Sequence, residues 1–548
     1  MNQPADLVIT GADVYCGDRA GTWADAVAVR AGRIVAVGTE AEVREQVGSV
    51  VDALHLPGRM VVAGFQDGHV HPPTAGRNRL TVSLNELAGR ADYLAAVARY
   101  AAANPDEPWI VGGGWAMEYF PGGTPTKEDL DAIVPDRPVF LFNRDVHGAW
   151  VNSKALELGG ITKDTPEPAD GRIERDPRTG EPTGTLHEGA AYSFNDHVVP
   201  VPDEAALRAA LLNAQAYLHS LGITGWQDAW VTPESEAAYR AIAASGELTA
   251  RVVGALWWDR HRGLDQVADL LARRERGSVA GIGSFHPTSV KIMTDGVLEN
   301  FTGALLEPYC DGCGGHTDNL GLAYVDRAEL AEAVTALDGH GFQVHMHAIG
   351  DRAVRNALDA VAAARTANGV ADHRHHIAHI QLVTPEDKAR FSQLDVVANC
   401  QTYWAQTEPQ MEELTIPFLG RDRADLQYPF GDLIRSGARL AMGSDWSVTT
   451  ANPLEQMEVA VNRIDPENRS NAPFLPEQRL TLAQAIGGFT MGTAYVNHDD
   501  QESGSIEVGK RADLAVLDRN VFTAPVTDLS DASVELTVAS GRVVFERR

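Results

Sequence analysis

"LAEAVTALDGHGFQVHMHAIGDRAVRNALDAVAAARTANG", residues 330–369, reads as helix, strand and helix in turn. The outer segments repeat apolar residues at the spacing of one helix face, while "FQVHMH" is a short run set between Gly341 and Gly350. A short strand flanked by such helices belongs in a parallel sheet covered on both faces. The alternation continues in both directions. "MVVAGF", "ITGWQDA", "RVVGALW" and "SVKIM" precede this strand, and "HHIAHI", "DVVANC" and "RLAMGSD" follow it. Eight runs of this kind predict a closed (β/α)8 TIM barrel over residues 61–500.

The two ends of the chain read differently. Residues 1–60 carry "DLVITGADVY" and "AVAVRAGRIVAVG", and residues 501–548 carry "GSIEVGKRADLAVLD" and "LTVASGRVVFE". These are strands with hairpin turns at Ala31-Gly32-Arg33 and Ser540-Gly541-Arg542. Chain ends often lie close together, so a small β-sandwich built from both termini is expected. Between the first and second barrel runs lies far more chain than a crossover needs. This stretch, about residues 80–220, has strand-like runs of its own, "PWIVGGGW" and "PVFLFN", and predicts a large insertion or lid after barrel strand one.

In 548 residues the hydrophobic share of 44% and charged share of 22% are those of a globular protein. Lys and Arg number 46 against 75 Asp and Glu, a net charge of −29, which argues against a nucleic-acid partner. No apolar run approaches membrane-spanning length, and no basic start precedes a long apolar stretch. Four cysteines in so long a chain make no disulfide framework. The expectation is a cytoplasmic protein with neither membrane nor nucleic-acid partners, a homodimer being one option for its assembly.

In a barrel of this type, chemistry sits where the strands end. Strand one ends in His69 and His71, strand four carries Lys291, strand five ends in His345 and His347, strand six carries His379, and strand eight ends in Asp445. Imidazole and carboxylate suit a divalent cation, zinc first among them, and a catalytic site leaves one position open for water. A bound metal lowers the pKa of that water to about 7. Asp445 would then act as general base and afterwards as acid. His345 reads as a supporting core histidine, and His373, His375 and His376 as solvating the start of strand six. Each residue alone has a structural explanation: a strand histidine is usually just hydrogen-bonded, Lys291 could pair with an acid, and "SD" could cap a helix. Their coincidence at one rim is what those explanations leave unaccounted for.

With "GFQDGHVH", "VKIMTDG", "HMHAIGDRAV", "HIAHIQ", "GSDWSV" and "GSIEVGKRADLAVLD" in view, the chain resembles the amidohydrolase superfamily, in its YtcJ-like, family 3 branch, which includes N-substituted formamide deformylases. The match spans almost the whole length. The resemblance implies a metal-dependent hydrolase of C–N amide bonds in a small molecule, with His69, His71, His347 and His379 as metal ligands and Asp445 as ligand and proton shuttle. It places Lys291 where members with two ions carry a bridging N6-carboxylated lysine; unmodified, Lys291 would mean one ion. A lysine in an apolar strand has its pKa lowered by desolvation, which leaves a neutral amine able to take up CO₂.

The alternatives are an esterase or lactonase on the same barrel, a deaminase, or a non-catalytic metal-binding protein. Deaminases of the superfamily usually carry a glutamate three residues after the strand-five histidine, where this chain has Gly350 followed by Asp351. The non-catalytic option would show a missing ligand, and none is missing. "CDGCGGH", residues 310–316, pairs two cysteines with a histidine but lacks the second pair of a structural zinc site, and reads as a loop. No G-x-S-x-G or phosphate-binding glycine loop occurs. Expected substrate contacts are Trp115, Tyr119 and His147 from the insert, and Gln401 and Trp404 beyond strand seven.

Overall fold

The computed structural model describes residues 5–48 and 50–547. Eight parallel strands follow one another around the barrel in chain order: Phe65–Val70, Ile223–Val231, Arg251–Trp257, Ser284–Met293, Gln343–Ala348, His376–His379, Val397–Cys400 and Leu440–Met442. The ladder stops before strand eight meets strand one, and the residues just beyond Met442 close the seam. Asp445 N–H donates to the His69 carbonyl at 2.8 Å, and His71 N–H to the Trp446 carbonyl at 2.9 Å. The barrel is thus completed by the residues that carry its expected chemistry.

Seven of the eight runs fall on single strands, and "MVVAGF" is divided. Met60–Ala63 pairs antiparallel with Leu514–Leu517 in the terminal sheet, and the barrel begins only at Phe65. Gly64 is the junction. Its N–H donates to the Asp513 carbonyl at 2.8 Å, and a Cβ there would meet the Thr224 side chain at 2.5 Å.

The terminal strands join in one eight-stranded sheet, in which Met60–Ala63 links the C-terminal strands to Ala5–Tyr15 and the N-terminal hairpin. The two layers expected of a sandwich are one sheet curled round a shared core of Val27, Ile34, Val61, Leu514 and Val538. Both hairpin turns have positive φ at their two central residues, Ala31 (50°) and Gly32 (76°), Ser540 (48°) and Gly541 (77°). That is the turn geometry matching strand twist. The two turns also pack on each other, since a Cβ on Gly32 would lie 2.7 Å from the Ser540 carbonyl oxygen.

The insert forms its own six-stranded sheet from Val82–Ser83 to Pro182–Glu188, and both strand-like runs read from it are strands, Ile110–Trp115 and Val139–Asn143. Helix Glu204–Ser220 packs on helix Pro72–Leu80 and on barrel strand two, so the chain has rejoined the barrel before residue 220. Among the described residues no helix is long and apolar enough to cross a membrane.

Candidate metal centre

His69, Lys291, His347, His379 and Asp445 are buried at the C-terminal rim of the barrel and, with His71, line one cavity of about 710 Å³. Asp445 Oδ1 lies 3.3 Å from His69 Nε2 and 2.8 Å from His71 Nε2, and its Oδ2 lies 3.9 Å from His379 Nδ1. Tetrahedral ligands at roughly 2.0–2.1 Å from an ion stand about 3.3–3.4 Å apart; the His69–Asp445 spacing of 3.3 Å matches, and the other two, 2.8 and 3.9 Å, fall on either side of it. Among the described residues, His69, His379 and Asp445 form the group whose ligand atoms all lie within 4.8 Å of one another. Asp445 Oδ1 and His379 Nδ1 are buried without a hydrogen bond. Buried polar atoms are as a rule paired, so two unpaired atoms within one cluster of donors fit a divalent cation and are costly without one.

A chain of hydrogen bonds beneath the site fixes which nitrogen of His69 is free. Gln343 Nε2 donates to two backbone carbonyls, Arg374 at 2.9 Å and Val496 at 2.6 Å, so its Oε1 accepts from Gln227 Nε2 at 3.1 Å. Gln227 Oε1 must then accept, from His345 Nδ1 at 2.7 Å and His376 Nε2 at 2.9 Å. With its proton on Nδ1, His345 accepts through Nε2 from His69 Nδ1 at 2.9 Å. The Nε2 lone pair of His69 is thereby aimed at the site. The network also reaches His379: His376 Nδ1 accepts from Asn399, Asn399 Oδ1 from Gln401, and Gln401 Oε1 from the His379 N–H at 2.7 Å. Supporting hydrogen bonds of this kind set ligand tautomer and orientation.

Burial pushes His69, His347 and His379 well below the usual imidazole range, so each presents a neutral nitrogen. Burial also lowers Lys291 to about 7, against the pull of Asp445 and Asp228, and places its Nζ 3.4 Å from His69 Nε2. His347 stands beside His379 with ring centroids 4.5 Å apart, its Nε2 turned to the Gly296 carbonyl at 3.3 Å and to Asp295 at 3.5 Å. Asp445 and His379 have positive φ, 57° and 75°, a left-handed backbone that is uncommon for residues other than glycine.

The other expected contacts separate. Tyr119, His147 and Trp404 line the cavity, and Trp404 lies flat on His379 at 5.1 Å between centroids. Trp115 does not reach it. It is 1% exposed in the core of the insert, with its indole N–H donated to the Leu141 carbonyl. Gln401 is fully buried behind His379 and holds that residue's backbone instead of a substrate. His375 and His376 are also fully buried, bound to Asp338 and Gln227, where solvation had been expected. Cys310, Cys313 and His316 form no metal-binding group among the described residues; Asp311 instead ties the loop through the N–H groups of Cys313 and Gly315.

Sequence reasoning passed over Asp67, which accepts from the His69 and Ser444 N–H groups at 3.0 Å each and pins strand one to strand eight. It also missed Gln227, Asn399 and Glu188. A charged or amide residue inside an otherwise buried strand was the available signal. Glu188 holds His147 Nδ1 at 2.7 Å; burial opposes its ionisation, but His147 and the hydrogen bonds outweigh this and lower it to about 2.

The amidohydrolase family model matches residues 50–545. The chain is 31% identical to "Protein LONG AFTER FAR-RED 3" of Arabidopsis thaliana, over 99% of this chain and 92% of that protein. It is 30% identical to the N-substituted formamide deformylase of Arthrobacter pascens (100% and 99%) and 28% identical to the putative amidohydrolase YtcJ of Bacillus subtilis (98% and 99%). Among solved structures, an uncharacterized metal-dependent hydrolase from Pyrococcus furiosus superposes with a TM-score of 0.71 at 24% identity, over 94% of this chain and 99% of that one.

Proposed function

The chain belongs to the amidohydrolase family, and from that premise we propose that it hydrolyses the C–N bond of a small N-substituted amide or formamide. The observation that carries the reading is the convergence of His69, His379 and Asp445 with unpartnered buried atoms facing one point. The formamide deformylase among its relatives supports the choice of acyl group. His69, His71, His347, His379 and Asp445 would hold the cation, zinc by the chemistry of the donors, and a carboxylated Lys291 would share a second ion. Such a cation supplies Lewis acidity and acidifies water at its open position.

The chain's own groups then do the following. Asp445 takes a proton from the attacking water at its carboxylate and returns it to the departing nitrogen. His147 is held on Nδ1 by Glu188; burial alone would lower its pKa, but the carboxylate outweighs burial and raises it. Its Nε2 donates to the substrate's acyl oxygen. Trp404, flat on His379, keeps bulk water from that face of the site. The four cysteines are free, which accords with a cytoplasmic enzyme.

The test is a panel of N-alkyl and N-benzyl formamides, with matched acetamides and esters, assayed on protein as purified, chelated and reloaded with zinc. Formamide hydrolysis that disappears on chelation and returns with zinc is expected. Ester turnover without amide turnover would replace this reading with the esterase one.

A further inference from the structure

Away from the metal ligands, the same cavity has a second, acidic lobe. Glu118 and Asp145 come from the insert, Glu299 from the loop after strand four, and Glu408 from the loop after strand seven; all four line the cavity. One cation stands among them. Arg144 lies 3.2 Å from Glu118 and 3.8 Å from each of Asp145 and Glu408. Glu299 has the Thr415 hydroxyl as its donor and, among the described residues, no cation at ion-pair distance. Three carboxylates therefore share one guanidinium in a partly enclosed space, and the fourth, Glu299, stands without a cation at ion-pair distance among the described residues. Burial raises Asp145, Glu408 and Glu299, the last to about 7; neighbouring carboxylates add to the rise.

Two atoms show what the lobe lacks. Glu118, with a side chain only 9% exposed, has a buried Oε2 with no hydrogen-bond partner. Gln406, 2% exposed and lining the same cavity, has an unpartnered Oε1. Both are acceptors, and an acceptor buried without a donor is destabilising. Glu118 belongs to no group of His, Cys, Asp or Glu side chains that closes on one point among the described residues, as a metal ion would require. A group that brings both positive charge and N–H donors would satisfy both acceptors.

We propose that this lobe binds a guanidinium or ammonium group of the substrate, so that the enzyme prefers amides bearing a second, cationic nitrogen remote from the scissile bond. The proposal rests on the amide-hydrolase reading for the word substrate, but its test does not need turnover. Isothermal titration of the metal-loaded full chain would compare an alkylguanidinium with the near-isosteric alkylurea, which drops the charge and carries a carbonyl oxygen in place of one amino group. Guanidinium does not ligate zinc but the urea carbonyl can, so both titrations are run with the metal's open position saturated by acetohydroxamate. Binding about tenfold tighter for guanidinium is expected, weakening with salt, and the margin should shrink in Glu299→Gln and in Glu118→Gln. Equal affinities, or a margin unchanged in both variants, would overturn it. If the margin holds while every formamide is inert, the cation lobe stands and the hydrolase reading falls.

Discussion

At the floor of the cavity the strand-end side chains are held by hydrogen bonds traceable to backbone carbonyls, from Gln343 through Gln227 and His345 to His69. On the wall made by the insert and the loops after strands four and seven, Glu118, Asp145 and Glu408 share Arg144, and Glu299 has no cation at ion-pair distance among the described residues. Both regions leave buried polar atoms unpartnered, but differently. The floor leaves a nitrogen and an oxygen that point at one place, as a metal requires; the wall leaves acceptors spread along a surface, as an organic cation requires. A rigid sheet can place atoms to fit an ion, whereas loops place charge more loosely and suit selection of a substrate.

The division of labour can be broken at the floor most severely. Asp445→Asn should retain metal and fold while turnover falls roughly 10²–10⁴-fold, the contribution of a positioned proton carrier. Comparison of kcat and metal content with wild type checks this, and full activity in the variant would remove Asp445 from proton transfer.

One layer deeper, Gln227→Leu removes the acceptor that sets His345 and His376. Metal affinity should drop roughly 10- to 100-fold, with the His69 tautomer changed in ¹⁵N NMR of the imidazoles. An unchanged affinity would mean that the chain of hydrogen bonds merely packs the barrel. The smallest effect is expected outside both regions. Cys313→Ser, in an exposed loop that lines neither part of the cavity, should leave metal content and activity at wild-type values. Loss of metal in that variant would reopen the loop as a zinc site.

The floor was largely legible from sequence because strand periodicity does most of the placing. A run such as "SVKIM" puts Lys291 in strand four, and its register sets it beside His345. The errors there have local causes. "MVVA" passes directly into strand one through Gly64, so two strands of different sheets read as one run. Gln401 and His376 looked like contact or solvent residues because a polar side chain at a strand end carries no mark of whether it faces the cavity or its support. Trp115 failed for the same reason within the insert, whose core is closed by aromatics and not by the substrate. The wall was illegible. Glu118, Glu299 and Glu408 come from separate loops that only the folded chain brings together, and no periodicity links them.

The account turns on a divalent cation held by strand-end residues, and the direct measurement is metal per chain by inductively coupled plasma mass spectrometry, on wild type, Lys291→Ala and the His69→Ala/His379→Ala double variant. Purification should avoid chelators, with zinc supplied during growth. The account predicts near two ions in wild type, fewer in Lys291→Ala, and none in the double variant. One ion in both wild type and Lys291→Ala would leave the centre standing and remove the bridging role of Lys291. Wild-type protein without bound metal would contradict the account at its root.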